Sequence, residues 1–155
     1  MIQACHPTIA WQDGFLLGFA PMDHVHEEFI VLVNALGRSG DDELGTAIDA
    51  LLVHAREHFG EEERWMAETE FPARKCHADE HAAVLRSIEG VRERVVAHRD
   101  HATARRLSRA LADWFPGHAD YLDAALAHWM CKRRFGGKPI VVRRHLEARA
   151  SVAEH

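Results

Sequence analysis

Histidine and carboxylate residues recur along the chain at spacings that would bring their side chains together on helices. Histidine is unusually frequent, with 13 of 155 residues. The residues with these spacings are His26, His58 and Glu62, His77 and His81, and His118 and Asp123. Two of the pairs are four residues apart, which places both members on one helix face. Imidazole with carboxylate suits iron, zinc or manganese better than calcium or magnesium. The set is too large for one metal ion and of the right size for a pair.

A single histidine on an apolar helix face is more often a satisfied core residue than a metal ligand. The set as a whole indicates metal binding instead, because its members lie at the centres of apolar stripes on four predicted helices. An ionised Glu62 buried without a partner would cost on the order of several kcal/mol. Its neighbours Glu61 and Glu63 fall off the stripe and are expected to face solvent. Cations between the helices would remove the cost of burying Glu62, so we expect a metal centre in the core.

Apolar residues at helical spacing predict four helices with short joints. The helices run from about Met22 to Leu36, from Asp41 or Asp42 to about Thr69, from Pro72 past Val95, and from about Ala102 to Arg133. Short joints favour antiparallel neighbours, so the predicted fold class is all-α, an up-down-up-down antiparallel four-helix bundle. Pro116 predicts a kink or restart just before His118. Because Asp123 follows His118 by five residues, its side chain is expected to angle sideways.

The remaining segments complete a predicted division into three parts. Residues 1–20 would form an apolar arm packed on the bundle, residues 21–134 the bundle, and residues 135–155 a short C-terminal extension. Lys132, Arg133 and Arg134 form a basic cluster at the end of the last helix. The cluster is either a docking patch for an acidic partner or, as we favour, a group of cations that complements the helix dipole.

Composition narrows the class of protein. A chain of 155 residues with 47% hydrophobic residues suits one domain with a real core. Its net charge of −5 argues against nucleic acid as a partner. Cys5, Cys76 and Cys131 have unrelated spacings, which favours reduced thiols over a disulfide framework or a zinc ribbon. We find neither a signal peptide nor an apolar run of about 20 residues, so we expect no membrane partner and a cytoplasmic location.

The order of these residues, H…HxxxE…HxxxH…HxxxxD with one element per helix, resembles that of hemerythrins, and of their bacterial single-domain members in particular. The segment from Met22 to His26 is similar to the family's IDxxH, and the segment from His58 to Glu63 to its HFxxEE. Trp114, four residues before the last histidine, also fits. The resemblance covers roughly the chain from Trp11 to Met130.

The resemblance implies a cofactor of two iron ions joined by an oxo or hydroxo bridge. The implied ligands of one iron are His77, His81 and His118. Those of the other are His26 and His58, and the implied bridges are Glu62 and Asp123. The second iron would keep one position open for dioxygen or another small gas or anion. A dry apolar pocket around it would keep the bound oxygen from escaping as hydroperoxide.

The chain departs from the family at two positions that line the family's oxygen pocket. Ala119 stands where isoleucine is common, and Phe115 stands where leucine is usual. Phe115 either refills the space that Ala119 leaves or reshapes access for ligands. We therefore expect altered tolerance of ligand size or altered autoxidation. Trp114 is expected to lie over the same pocket.

A second motif competes for part of the set. His54, Glu57 and His58 match the HxxEH of inverted zinc proteases, in which Glu57 would be the general base. We reject that interpretation because Glu57 lies about 100° round the helix from His58, and because it leaves four other histidines unexplained. His54, one turn before His58, either supports it by a hydrogen bond or is an ordinary satisfied polar residue.

Three functions are compatible with this set of ligands. The favoured one is reversible dioxygen binding for storage, delivery or sensing. The second is an enzyme that acts on nitric oxide, peroxide or ferrous iron, and the third is an iron store or an iron-donating repair protein. Beyond the ligands, His54 is the one candidate acid or base that we identify. The lack of other candidates favours reversible ligand binding over multistep catalysis. The sequence does not indicate a protein partner or an oligomeric state.

Overall fold

The computed structural model describes residues 8–135, and in that part of the chain every regular element is helical, with no β-strand. The helices are α1 (Ala20–Arg38), α2 (Leu44–Glu68), α3 (Arg74–His98), α4 (His101–His118) and α5 (Ala124–Phe135). A 3-10 turn at Asp13–Phe15 precedes α1, and a π-helical segment at Ala119–Asp123 joins α4 to α5. Because α4, this segment and α5 follow one another without a gap, they form the fourth helix of the bundle.

The helices pack in a ring, in which α1 contacts α2, α2 contacts α3, α3 contacts α4 and α4 contacts α1. The joints between them, at residues 39–43, 69–73 and 99–100, are short, so neighbouring helices run antiparallel. The predicted all-α four-helix bundle is therefore confirmed, and its helices begin and end within a few residues of the predicted positions. Within the described residues, no helix is both long enough and apolar enough to cross a membrane.

Pro116 does not interrupt the fourth helix as predicted. Helix α4 continues through Pro116 to His118, and the irregular segment begins only afterwards. Proline cannot donate the backbone hydrogen bond to the carbonyl four residues earlier. The helix stays intact because tertiary packing holds it on both sides, with Phe115 and Ala119 buried. The predicted restart before His118 is therefore wrong, and the alternative of a kink at Pro116 stays a prediction.

Two hydrophobic cores lie at different heights in the bundle. The large core includes Phe29 and Val33 of α1, Leu51 of α2, Ile88 of α3 and Leu111 of α4. The small core, nearer the start of α1, the end of α2 and α5, includes Phe19, Met22, Trp65, Met66 and Leu126. Along each helix, the histidines and carboxylates singled out in the sequence lie between these apolar stretches or at their border. We call those seven residues the ligand layer.

The segment before α1 lies against the bundle. The side chain of Asn34 donates to the carbonyl of Ile9 at 2.7 Å and accepts from its N–H at 2.9 Å. Trp11 packs against the large core, and Phe15 is buried in it. The proposed division at residues 1–20, 21–134 and 135–155 stays a prediction, since residues 1–7 and 136–155, with most of the C-terminal extension, lie outside the described residues.

Candidate metal centre

Seven histidine and carboxylate side chains from the four helices meet beside the large core. They are His26, His58, Glu62, His77, His81, His118 and Asp123, and each has an exposed fraction of 6% or less. They are the residues that the sequence analysis predicts as ligands, and the structure brings all of them together. Their ligand atoms fall into two groups that share Glu62, one of three histidines with both carboxylates and one of two histidines.

Helix geometry explains how neighbouring members of the layer share a face. His58 and Glu62 are four residues apart in α2, close to one turn of a regular helix. His118 and Asp123 are five apart, and the π-helical segment between them has the wider turn that is closed by hydrogen bonds between residues five apart. Asp123 therefore returns to the face of His118, and its Oδ1 lies 3.1 Å from His118 Nε2. The expectation that Asp123 angles sideways from a regular helix is replaced by this local change of helix type.

The three-histidine group is formed by His77, His81 and His118 around one oxygen from each carboxylate. Asp123 Oδ1 lies 3.0 Å from His77 Nε2, besides its contact with His118. Glu62 Oε2 lies 3.2 Å from His81 Nε2 and 3.4 Å from His77 Nε2. Three imidazole nitrogens and two carboxylate oxygens thus surround one small volume.

The two-histidine group is formed by His26 and His58 around the other oxygen of each carboxylate. Glu62 Oε1 lies 2.8 Å from His58 Nε2 and 3.6 Å from His26 Nε2. Asp123 Oδ2 lies 3.1 Å from His26 Nε2. Each carboxylate therefore turns one oxygen toward each histidine group, which is the arrangement expected of ligands that span two ions.

Many of these buried atoms have no hydrogen-bond partner among residues 8–135. They include Nε2 of His26, His77, His81 and His118, both oxygens of Asp123, and Oε2 of Glu62. Buried polar atoms are almost always hydrogen-bonded, so a concentration of unpaired ones needs an explanation. The separations near 3 Å provide it, because two ligands each about 2.1 Å from one ion at right angles lie about 3 Å apart. The residues fit a divalent transition metal in each group.

Opposite charges shift the pKa values in the layer. Burial alone disfavours protonation of His26, but contact with Asp123 and Glu62 outweighs it and raises the pKa of His26 to about 10. The same balance raises the pKa of His77 to about 9. Burial opposes ionisation of Glu62 and Asp123, yet the surrounding imidazoles hold the pKa of both carboxyls below its ordinary value. Cations that bind here would displace protons from the histidines.

Two further carboxylates contact the outer nitrogens of the three-histidine group. Glu80 Oε1 accepts hydrogen bonds from His118 Nδ1 at 2.9 Å and from Trp114 Nε1 at 2.8 Å. Glu63 Oε1 lies 3.3 Å from His81 Nδ1. A carboxylate at Nδ1 fixes the proton there and leaves Nε2 free to face the layer.

These outer contacts were not predicted from the sequence. Glu63 was expected to face solvent, whereas this side chain is 43% exposed and still reaches His81. Glu80 was not predicted at all, and its one signal is its place between His77 and His81 on α3. A carboxylate between two candidate ligands on a helix can point to either side, so the packing of Trp114 was needed to identify its partner.

Aromatic rings cover the histidines of the three-histidine group. Phe59 stacks on His81 with 4.1 Å between ring centroids and an interplanar angle of 5°. Trp114 stacks on His118 with 4.3 Å between centroids. Trp114 therefore lies beside the three-histidine group. These contacts hold the two imidazoles in place and keep water from their faces.

Of the other two predicted pocket residues, Phe115 lies at the two-histidine group and Ala119 is buried near it along the helix. The ring of Phe115 meets that of His26 edge to face, with 5.2 Å between centroids, and Phe29 packs beside Phe115 at 5.5 Å. Ala119, one turn after Phe115, is fully buried. The part of this group around His26 is therefore lined by apolar rings, as expected of a gas pocket. The assignment of an oxygen pocket to these residues stays a prediction.

His54 lies beside the layer without belonging to it. Its ring meets that of His58 edge to face at 5.5 Å, and its Nδ1 lies 3.7 Å from Glu28 Oε2. Burial lowers the pKa of His54 to about 4, so the ring is neutral at neutral pH. A hydrogen bond from His54 to His58 is not formed. Glu57 is exposed, so the zinc-protease motif has no buried base.

The chain is similar to proteins of one family. A family model described as the hemerythrin HHE cation binding domain matches residues 17–129, a range that contains the whole ligand layer. A bacteriohemerythrin from Ralstonia nicotianae is 37% identical over 127 residues, which cover 82% of this chain and 92% of that protein. A bacteriohemerythrin from Aquifex aeolicus is 30% identical over 111 residues, which cover 68% of this chain and 85% of that protein.

Proposed function

This chain belongs to the hemerythrin family, and from that membership we propose that it is a non-haem di-iron protein that binds dioxygen reversibly for storage, delivery or sensing. The family and the buried cluster of histidines and carboxylates suggest a di-iron site. The finer assignment of two irons per chain and of oxygen as the ligand is our proposal. Another small gas or anion would bind at the same position.

One observation carries the proposal: each carboxylate divides its two oxygens between the two histidine groups. Glu62 faces His58 with one oxygen and His81 with the other. Asp123 faces His26 with one and His77 with the other. We therefore assign both carboxylates as bridges, the three-histidine group to one iron, and the two-histidine group to the iron with an open position.

When bound, a pair of ferrous ions would supply the electrons that dioxygen takes up and a vacant position for it. The chain's own residues would do the rest. The carboxylates balance the charge of the ions, and the aromatic wall of Phe29 and Phe115 excludes water from the side of His26. Exclusion of water favours release of oxygen unchanged over its loss as a reduced product.

Our proposal also places the protein in the cytoplasm, because the free thiols of Cys76 and Cys131 suit a reducing compartment.

A second candidate function, iron storage or oxidation of ferrous iron, is favoured by a cleft at the surface. The cleft is lined by His58 together with Glu28, Glu57 and Glu61. Three carboxylates at the mouth of a cleft attract cations, and His58 connects that cleft to the ligand layer. This arrangement suits the entry of iron in either function, so it does not displace oxygen binding as the leading proposal.

The decisive experiment adds oxygen to the anaerobic, iron-loaded chain and records its absorption spectrum. We expect two irons per chain and a charge-transfer band that appears with oxygen and disappears when the gas is removed. Irreversible bleaching with continuing consumption of oxygen would favour the enzyme instead. Fewer than two irons per chain would overturn the assignment of the centre.

A pair of histidines on α1 offers a matched control. His26 is fully buried in the layer, whereas the side chain of His24, two residues earlier, is 73% exposed. We expect His26→Gln to lose the oxygen-dependent band and one iron, and His24→Gln to keep both. Equal behaviour of the two variants would contradict the role of His26.

A further inference from the structure

We infer that the two halves of the centre differ in affinity: the three-histidine group binds a divalent transition metal first and holds it, and the two-histidine group binds the second ion more weakly and exchanges it. The inference rests on the proposed function, since it concerns the order in which the same two positions fill. It assigns Glu80 and Glu63 as positioning residues for the tighter position.

The number of donors is the first reason. Glu62 and Asp123 each turn one oxygen toward either group. The three-histidine group has more donors close together, because its ligand atoms come from three imidazoles and both carboxylates, whereas those of the other group come from two imidazoles and Glu62. An additional nitrogen donor favours binding of the borderline metals that prefer imidazole.

Support from outside the layer is the second reason, and it is also unequal. In the three-histidine group, Nδ1 of His118 and Nδ1 of His81 face carboxylates, whereas Nδ1 of His77 has no hydrogen-bond partner among the described residues. In the two-histidine group, Nδ1 of His26 and Nδ1 of His58 have no hydrogen-bond partner among the described residues. Such outer carboxylates orient the imidazole and strengthen it as a donor, and their loss typically lowers metal affinity about 10- to 100-fold.

The contacts of Glu80 show how firmly one of these histidines is held. A single oxygen of Glu80 accepts from both His118 and Trp114, and the ring of Trp114 stacks on that of His118. The carboxylate and the stacked ring thus fix both the rotation of the imidazole and the position of its proton. In the two-histidine group, Nε2 of His26 faces Asp123 within the layer, but among the described residues its Nδ1 has no hydrogen-bond partner that would fix the proton on that side.

Access to solvent is the third reason. His58 lines the surface cleft bordered by Glu28, Glu57 and Glu61, so an ion in the two-histidine group would be close to a route for exchange. On the opposite side, Phe59 and Trp114 cover His81 and His118. Among the histidines of the layer, His58 also has the largest exposed fraction, 6%, so the weaker position includes the histidine nearest to solvent.

The test is a titration of the metal-free full chain with cobalt(II), followed by its visible absorption and by calorimetry. We expect two binding steps, with the first at least about 10-fold tighter. His26→Ala should remove the second step and keep the first, whereas His118→Ala should weaken the first. Equal steps, a tighter second step, or loss of the first step in His26→Ala alone would overturn the inference.

Substitution of Glu80 separates positioning from simple stability. We expect Glu80→Ala to weaken the first step about 10- to 100-fold and to change the cobalt spectrum of the first equivalent, with the second step unchanged. Glu80→Gln keeps an acceptor oxygen and should restore part of the affinity. Asp79→Asn, which alters an exposed carboxylate paired with Lys75 on the same helix, should leave both steps unchanged.

The outcomes distinguish this inference from the proposed function. Binding of fewer than two cobalt ions per chain would overturn the proposed centre itself. Two ions of equal affinity, or a first step that Glu80→Ala leaves untouched, would overturn only the unequal halves. Circular dichroism and the melting temperature of each metal-free variant identify any that fails to fold, and the titration of the unaltered chain decides the order of filling without a variant.

Discussion

The large core and the ligand layer are neighbours on the same helices, yet they depend on different interactions. In the core, Ile48, Leu51 and Ile88 are fully buried, and each contributes roughly 1.5–3 kcal/mol by leaving water. In the layer, Glu62 and Asp123 are equally buried but charged. Burial of a charge costs on the order of several kcal/mol unless opposite charges or hydrogen bonds compensate for it.

This contrast predicts which substitutions should destabilise the protein by an amount that depends on bound metal. A substitution in the core removes the same packing whether or not ions are bound, so its cost should not depend on metal. A substitution in the layer removes a ligand, so its cost should appear mainly in the metal-loaded protein. A substitution at the border between the core and the layer should have a cost that depends only in part on bound metal.

The largest effect is expected from Glu62→Gln, because this side chain faces both histidine groups. An ion present at a thousandfold excess over its dissociation constant stabilises the folded state by about 4 kcal/mol. We expect the variant to bind fewer than two ions and to lose about that amount or more, which lowers the melting temperature of the loaded protein by roughly 10 °C. Metal analysis and thermal unfolding with and without metal measure both quantities.

The matched control for this change is Glu68→Gln, an exposed glutamate later on the same helix. This variant should bind two ions and have the same melting temperature as the unaltered protein. If Glu62→Gln also kept two ions and the full melting temperature, the carboxylate would not be a bridge, and the contrast between layer and core would fail.

A smaller effect is expected from Leu51→Ala in the large core. Removal of a fully buried leucine leaves a cavity and typically costs about 2–5 kcal/mol. We expect the same loss in the metal-free and metal-loaded protein, with two ions still bound. Denaturant unfolding in both states checks this, and Val53→Ala, at a side chain that is 54% exposed, should change the free energy of unfolding by less than about 0.5 kcal/mol.

The smallest effect is expected at the border, from Ala119→Ile. Ala119 is fully buried beside the layer, so the added methylenes overpack the site by about 1–3 kcal/mol. The larger side chain also fills space near the two-histidine group, so that less water can enter. We therefore expect autoxidation of the oxygen-bound protein to slow severalfold. Absorption of the oxygen-bound form over time measures this rate.

A double variant tests whether Phe115 compensates for the small residue. Phe115 and Ala119 lie one turn apart on the same buried face, so Ala119→Ile with Phe115→Leu roughly conserves the volume of the pair. We expect the double variant to regain most of the stability that the single one loses. Equal autoxidation rates in Ala119→Ile and the parent would dismiss any role of this position in the pocket.

Much of the fold and of the site could be predicted from the sequence because regular helices obey simple spacing. Apolar residues recur at three and four residues, which identified the helices, and His58 with Glu62 and His77 with His81 lie on those stripes. A buried carboxylate on an apolar stripe is costly enough to mark a site by itself. The resemblance to hemerythrins then supplied the expected division of the histidines into three and two.

Other features depend on local geometry or on long-range packing that spacing does not reveal. The π-helical segment gains one residue relative to a regular helix, and only the backbone shows that Asp123 regains the face of His118. Glu63 and Glu80 reach outer nitrogens from positions that are partly exposed, where a charged side chain ordinarily faces water. Trp114 stacks on His118 whereas Phe115 meets His26, and this difference follows from how α4 is turned in the bundle.

The π-helical segment has a consequence for how the length of this protein can change. Its turn holds one residue more than a regular turn, so the chain can be regarded as having absorbed an inserted residue without turning α5 relative to α4. Loss of the codon for Asp120, which is exposed, should convert the segment to regular helix and leave Leu126 on its core face. Loss of a codon inside α5, such as that for the exposed Ala125, would instead rotate all that follows by about 100°. Tolerance of a deletion at this end of the bundle thus depends on the helix type around it rather than on exposure.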